Sequence, residues 1–172
     1  MKIVYRFLCF IAIFGICDSA DCQSKDSITV NIFLLEDCKI CQYYVPTLKS
    51  LFEEFAYERI GFIGLFPNRY SSENNIEAFK KKHDIPFHLQ REFFQTKTEK
   101  FNVNVTPEVV VYNETKQSII YKGRIDNGYV KLGQRRRVVT QNELRDVLRA
   151  LINNQEVKIE NREAIGCLIT KI

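Results

Sequence analysis

The chain has 172 residues, and a compact domain commonly uses about 100 to 150, so we expect a single hydrophobic core. Hydrophobic residues make up 45% of the sequence and Phe occurs 13 times, which is enough apolar material to fold without a disulfide scaffold. The formal net charge of +4 argues against a nucleic-acid-binding or membrane-surface protein.

Residues 1–20 are typical of a secretory signal peptide. Lys2 and Arg6 make the start positive, and the apolar run from Phe7 to Ile16 is too short to span a bilayer, which takes about 20 apolar residues. We therefore expect export to the periplasm or the cell exterior, with no integral membrane span after signal removal. A lipid anchor at Cys17 is an alternative, disfavoured by the bulky residue before it.

The next part of the chain alternates apolar runs with amphipathic segments. In chain order the pattern predicts a buried strand over 28–35, a helix with Asp37 as N-cap and an apolar stripe from Cys41 to Phe55, a buried strand over 60–66, and an exposed helix over 72–82. A short strand over 87–89 and one or two helical turns within 93–101 follow.

The C-terminal half predicts a hairpin and a last helix. Two apolar runs, 108–112 and 118–125, are separated by a polar stretch, as in a hairpin. Leu144 to Ile152 carry a helical stripe, preceded by Thr140 and Glu143 at capping-box spacing.

The order of these elements predicts an α/β fold with a mixed central β-sheet and helices on both faces. Strand-helix-strand units force parallel pairing with right-handed crossovers, while the hairpin adds antiparallel strands. We expect residues 21–154 to form one domain, followed by a C-terminal tail over 155–172, in a monomeric protein.

The motif DCKIC places two thiols where the first strand runs into the first helix. Free backbone amides at a helix start favour a thiolate at Cys38, and the spacing lets Cys41 reach it. We expect an exposed Cys38 to attack a partner disulfide and Cys41 to resolve the mixed disulfide. A static disulfide and half of a metal site are the alternatives, although His83 and His88 lack the spacing of a zinc site. No metal or other cofactor is expected.

Two further cysteines flank the predicted domain. Cys22 and Cys167 could bridge each other, because chain termini often lie close together, or Cys167 could serve as an additional resolving thiol. Free thiols are the third alternative.

Over roughly residues 28–153 these motifs resemble the thioredoxin superfamily. Pro46 stands where thioredoxins carry the proline that bends the active-site helix, and Thr106-Pro107 corresponds to the cis-proline segment that faces the cysteines and pairs with substrate backbone. The resemblance implies a thioredoxin-like fold, protein thiols and disulfides as partners, and Thr106 and Pro107 as substrate-binding residues.

The stretches TPEVVVYN, YKGRID and GCLI are similar to bacterial redoxin-domain proteins, a branch related to exported thiol-disulfide oxidoreductases. This narrower resemblance implies substrate-binding roles for Arg124 and Asp126. Arg124 and the run Arg135 to Arg137 are expected along the active-site rim, where they could steer an acidic partner. Peroxiredoxins carry a threonine three residues before their reactive cysteine, and Leu35 occupies that position here, so peroxidase activity is disfavoured. Copper transfer without redox turnover is the alternative function.

Overall fold

The computed structural model describes residues 27–55, 57–58 and 60–172. It contains nine strands in this part of the chain: β1 (Ile28–Phe33), β2 (Ile60–Phe66), β3 (His88–Arg91), β4 (Val105–Thr106), β5 (Glu108–Asn113), β6 (Ser118–Gly123), β7 (Tyr129–Lys131), β8 (Gln134–Arg135) and β9 (Cys167–Leu168). The proposed signal peptide, Cys17 and Cys22 lie outside the described residues.

Five of these strands form the main sheet in the order β3-β2-β1-β5-β6. Strands β1, β2 and β3 are parallel, whereas β5 runs antiparallel to β1, and β6 antiparallel to β5. The mixed sheet predicted from the order of the elements is therefore confirmed. Two short antiparallel pairs, β4 with β9 and β7 with β8, complete the strands.

The described residues also form four helices: α1 (Lys39–Phe55), α2 (Glu73–His83), α3 (Thr96–Lys100) and α4 (Glu143–Ile152). Ser72 caps α2, because its side chain accepts a hydrogen bond from Asn75 N. The N-cap predicted at Asp37 is wrong. Helix α1 begins at Lys39, and Cys38 stands immediately before it, with its carbonyl oxygen accepting from Gln42 N at 3.0 Å.

The helices flank the two faces of the sheet unequally. The units β1-α1-β2 and β2-α2-β3 step across the sheet in the same direction, so right-handed crossovers place α1 and α2 on one face. Helix α4 joins them there, because Arg149 binds Glu54 of α1 at 2.8 Å. The short α3 lies on the opposite face, where Lys97 Nζ donates to Asn31 of β1 at 2.9 Å.

The capping box expected before α4 is also wrong. Asn142 is the N-cap residue and makes no side-chain capping bond. The Thr140 hydroxyl instead accepts from Asn127 Nδ2 at 2.8 Å, and the Glu143 carboxylate binds Arg124. Both side chains of the expected box are thus engaged by the loop after β6.

The C-terminal tail packs back onto the domain. Val157, Ile159 and Ile165 lie against the core beneath α1, α2 and α4, and Ile169 is buried in a second apolar cluster on the opposite face. The tail therefore passes from one face of the sheet to the other between residues 165 and 169. Within the residues that the structure describes, no helix combines the length and the apolar character that crossing a membrane requires.

Candidate functional site

Cys38 lies in the turn that connects β1 to α1. Its backbone N donates to Leu35 O at 3.2 Å, which closes the turn, and α1 starts at the next residue. Cys38 therefore lies at the N-terminal end of a 17-residue helix, where unpaired backbone amides and the positive end of the helix dipole are located. This placement agrees with the position that the sequence predicts for the first cysteine.

The sulfur of Cys38 is joined to Cys167 by a disulfide, with a Cα–Cα distance of 6.3 Å. Cys167 is thus neither bridged to Cys22 nor a free thiol but bonded to the site itself, and Cys41 is left as a free thiol. The sequence offered Cys167 as an additional resolving thiol among three alternatives but could not decide among them, because 129 residues separate the two cysteines and residues 155–172 show no periodic pattern.

Cys38 is buried, contrary to the expected exposure: only 2% of its surface is accessible. The cause is its bond to Cys167, which brings the tail over the sulfur. A Cys38 thiol can therefore meet an external partner only when the tail moves away.

Cys41 lies in the first turn of α1, fully buried beneath Cys38. Its sulfur accepts a hydrogen bond from Leu35 N at 3.4 Å. Burial raises the pKa of the Cys41 thiol to about 12, and the nearby Glu36 carboxylate adds to this rise, while hydrogen bonds from Leu35 and Thr106 oppose it. At neutral pH Cys41 is therefore protonated and weakly nucleophilic.

The strand that carries Cys167 pairs with the strand that ends at Thr106. Thr106 lies opposite Cys167, and Val105 lies opposite Leu168, in an antiparallel register. The peptide bond between Thr106 and Pro107 is cis. The tail thus occupies the backbone position at which the resemblance places a substrate.

Gly166, immediately before Cys167, fits this pairing because it has no side chain. An ideal Cβ at Gly166 would overlap the carbonyl group of Thr106 and lie 3.1 Å from Pro107 N. Any other residue would push the strand off β4. The close approach of the tail therefore requires glycine before the cysteine.

Asp126 and Pro107 line one small pocket, together with Ile165 of the tail. The Asp126 carboxylate is buried and accepts hydrogen bonds from the Tyr44 hydroxyl and from Gly128 N, each at 2.7 Å. Burial and the bond to Asp126 raise the pKa of Tyr44 above its usual range. Asp126 thus connects α1, one turn after Cys41, to the loop beside the cis-proline.

Arg124 lies in the same pocket, but its guanidinium is engaged elsewhere. It forms an ion pair with Glu143 and donates from Nη2 to Gln141 Oε1 at 2.8 Å. Its backbone N also donates to Arg162 O of the tail at 3.0 Å. These contacts link the end of β6 to α4 and to the tail.

The loop after Asp126 forms the β7–β8 hairpin beside the helix that carries the cysteines. The Tyr129 ring packs edge-on against Tyr43 of α1, with ring centroids 5.3 Å apart, and the Arg135 guanidinium lies 4.9 Å from the centroid of the Tyr43 ring. Arg136 and Arg137 are exposed. The hairpin holds this basic segment next to the α1 side of the site.

Among the described residues, no group of three or more His, Cys, Asp or Glu side chains could hold a metal ion. His88 lies exposed in β3, and His83 packs on Phe79 of α2 at a ring distance of 4.6 Å. Burial lowers the pKa of His83.

The structure is similar to solved structures of low sequence identity. A hypothetical protein from Sinorhizobium meliloti 1021 aligns with a TM-score of 0.72 and 17% identity over 84% of this chain and 80% of its own. An uncharacterized conserved protein from Geobacillus kaustophilus aligns with a TM-score of 0.73 and 20% identity over 86% and 79%. StoA from Bacillus subtilis aligns with a TM-score of 0.51 and 16% identity over 57% and 73%. The chain has a thioredoxin-like fold.

No family model and no curated protein matches this chain. The solved structures, at these identities, support the thioredoxin-like fold alone. The proteins from Sinorhizobium meliloti and Geobacillus kaustophilus align with more than four fifths of this chain, whereas StoA aligns with 57% of it.

Proposed function

We propose that this protein is an exported thiol-disulfide oxidoreductase that exchanges disulfides with protein partners through Cys38 and Cys41. The bond made by Cys38 carries the proposal: its sulfur, at the start of α1, is joined to a cysteine on an extended strand that pairs with β4 opposite Thr106. A mixed disulfide between this site and an extended partner segment would have the same arrangement.

The two cysteines of the motif have different roles in this proposal. Cys38 is the attacking group, because the helix end beside it stabilises a thiolate. It attacks one sulfur of a partner disulfide, and the other partner sulfur leaves as a thiolate. Cys41 then attacks the Cys38 sulfur, which forms a Cys38–Cys41 disulfide and releases the partner as a second thiol. The buried Cys41 thiol suits this second, internal step.

The other residues expected in the site contribute in two ways. Thr106 and Pro107 meet the partner backbone, as they meet the tail. Asp126 and Arg124 act behind the contact surface, because Asp126 binds Tyr44 of α1 and Arg124 binds Glu143 of α4. We therefore propose positioning roles for these two residues.

Export is part of the proposal because stable disulfides belong to oxidising compartments. The positive residues Lys2 and Arg6 and the apolar run after them supply the export signal. The site then works in the periplasm or outside the cell.

Single cysteine substitutions test the assignment. With insulin as the disulfide substrate and dithiothreitol as the electron source, we expect Cys38→Ser to abolish catalysed reduction, because the attacking sulfur is gone. The double variant Cys41→Ser/Cys167→Ser, which lacks both thiols that can reach the Cys38 sulfur, should accumulate a protein–insulin adduct on non-reducing gels. Cys22→Ser is the matched control and should keep wild-type turnover. Retention of activity in Cys38→Ser would contradict the proposed function.

A further inference from the structure

The tail is held on both sides of Cys167 by specific contacts. Before the cysteine, Arg162 O accepts from Arg124 N at 3.0 Å. After it, Ile169 N donates to Asn104 O at 3.0 Å, and the Ile169 side chain is buried. The buried Gln95 amide then donates to Thr170 O at 2.8 Å. The tail therefore reaches Cys38 along a defined path.

We propose that residues 166–169 are a tethered substrate of the site, and that Cys167 is a third redox-active cysteine whose bond to Cys38 closes the protein to external partners. This inference rests on the proposed function of Cys38 and Cys41. Its support is the antiparallel pairing of β9 with β4, the glycine fit against Thr106, and the disulfide between Cys38 and Cys167. An external strand cannot pair with β4 while β9 does.

Opening needs no outside oxidant. The Cys41 thiol loses its proton, and the thiolate attacks the Cys38 sulfur. The Cys38–Cys167 bond breaks as the Cys38–Cys41 bond forms, and the electron pair of the broken bond stays on the Cys167 sulfur, which takes up a proton. Cys38, Cys41 and Cys167 then hold one disulfide and one thiol among them, as before, but the tail is free to leave β4.

The fit of the tail also defines the polypeptides that the site accepts. Since a Cβ before the cysteine would overlap the Thr106 carbonyl, an extended segment with glycine directly before its cysteine can pair with β4 without displacement. The residue after the cysteine is less restricted, because the Leu168 side chain is 78% exposed. The preferred substrate class is thus an extended polypeptide containing Gly-Cys.

The test measures how the Cys38 disulfide divides between its two partners. The full chain is equilibrated in glutathione buffers of stepped ratio, quenched with acid, and the Cys38–Cys167 and Cys38–Cys41 bonds are quantified by mass spectrometry. We expect both bonds in the wild type, and Gly166→Ala should shift the ratio at least tenfold towards Cys38–Cys41. The exposed tail residue Glu163 gives the control, since Glu163→Ala should stay within twofold of wild type.

A Cys38–Cys167 disulfide that never exchanges with Cys41 would give a different result. Absence of either bond at every glutathione ratio, or a partition that Gly166→Ala leaves within twofold of wild type, would overturn the inference.

A peptide pair decides the same point if Gly166→Ala fails to fold. The full chain carrying Cys41→Ser and Cys167→Ser receives the peptide EAIGCLITK, which matches residues 163–171, with its cysteine as a glutathione mixed disulfide. Attack by Cys38 on the peptide sulfur releases glutathione and leaves the peptide on Cys38. We expect this adduct to form at least tenfold faster than with EAIACLITK. Equal rates would overturn the inference.

Turnover of insulin by the same wild-type protein separates the two proposals. If the wild type reduces insulin but forms no Cys38–Cys167 bond at any glutathione ratio, the proposed function stands and the role of the tail is refuted. A partition that depends on Gly166, with turnover of neither insulin nor a disulfide-linked dimer of the peptide EAIGCLITK, keeps the internal exchange between Cys167 and Cys41 and removes the proposed function.

Discussion

The two cysteines of the motif stand three residues apart and have different surroundings. Cys38 precedes α1 and bonds to the tail, whereas Cys41 is inside the first turn, with its thiol fully buried. The motif could be found in the sequence because the spacing and the strand-helix junction are local features. The burial of Cys38 could not be found there, since the residue that covers it lies at the other end of the chain.

The raised pKa of Cys41 predicts how its alkylation depends on pH. An ordinary thiol with a pKa of 9.0 becomes a thiolate as pH passes 9, whereas Cys41, with a pKa of about 12, stays protonated there. In molecules that still contain the Cys38–Cys167 bond, labelling of Cys41 by iodoacetamide should therefore rise about tenfold per pH unit from pH 7 to 10. Mass spectrometry measures the rate, and a plateau near pH 9 would contradict the assigned environment.

At the scale of elements, the sequence predicted the long strands and helices well, because each is long enough for its apolar residues to show the pattern of a strand or of a helix. β2 spans 60–66 as expected, and α2 begins after the Ser72 cap. β4, β7, β8 and β9 have two or three residues each, too few for any periodicity, and depend on tertiary contacts. The expected capping box failed for the same reason: Thr140 and Glu143 have partners from the loop after β6.

The ion pair between Arg124 and Glu143 joins β6 to α4, and its loss should be costly. Arg124→Met leaves the Glu143 carboxylate, whose side chain is 7% exposed, without its cation. We expect a loss of about 3 kcal/mol in the free energy of unfolding, measured by urea denaturation. The exposed Arg136 gives the control, since Arg136→Met should change stability by less than about 0.5 kcal/mol. Equal effects would show that the pair does not hold these elements together.

At the scale of the whole molecule, the sequence predicted the mixed sheet but could not predict the path of the tail. Right-handed crossovers fix where α1 and α2 lie, so the fold follows from the order of elements. Residues 155–172 show no comparable pattern, although Ile165 and Ile169 bind opposite faces of the sheet. Their docking depends on the close fit of the tail against β4, above all on glycine at position 166, where a Cβ would overlap the Thr106 carbonyl.

Closing the chain between Cys38 and Cys167 should stabilise the molecule. The disulfide joins residues 129 positions apart, so it removes much conformational freedom from the unfolded chain. We expect the oxidised wild type to exceed Cys167→Ser by about 2 to 4 kcal/mol in the free energy of unfolding. The difference should disappear when both proteins are reduced. Equal stability under oxidising conditions would argue against the closed form.

The partner of the Cys38 sulfur can be read directly from a tryptic digest of the oxidised, acid-quenched protein. Trypsin cuts after Lys39, which separates Cys38 on the peptide 26–39 from Cys41 on 40–49, while Cys167 lies on 163–171. We predict that 26–39 is found linked to 163–171, and that Cys41 is a free thiol in the molecules that carry this link. Linkage of 26–39 to 40–49 alone, with Cys167 free or joined to the peptide that contains Cys22, would contradict the account.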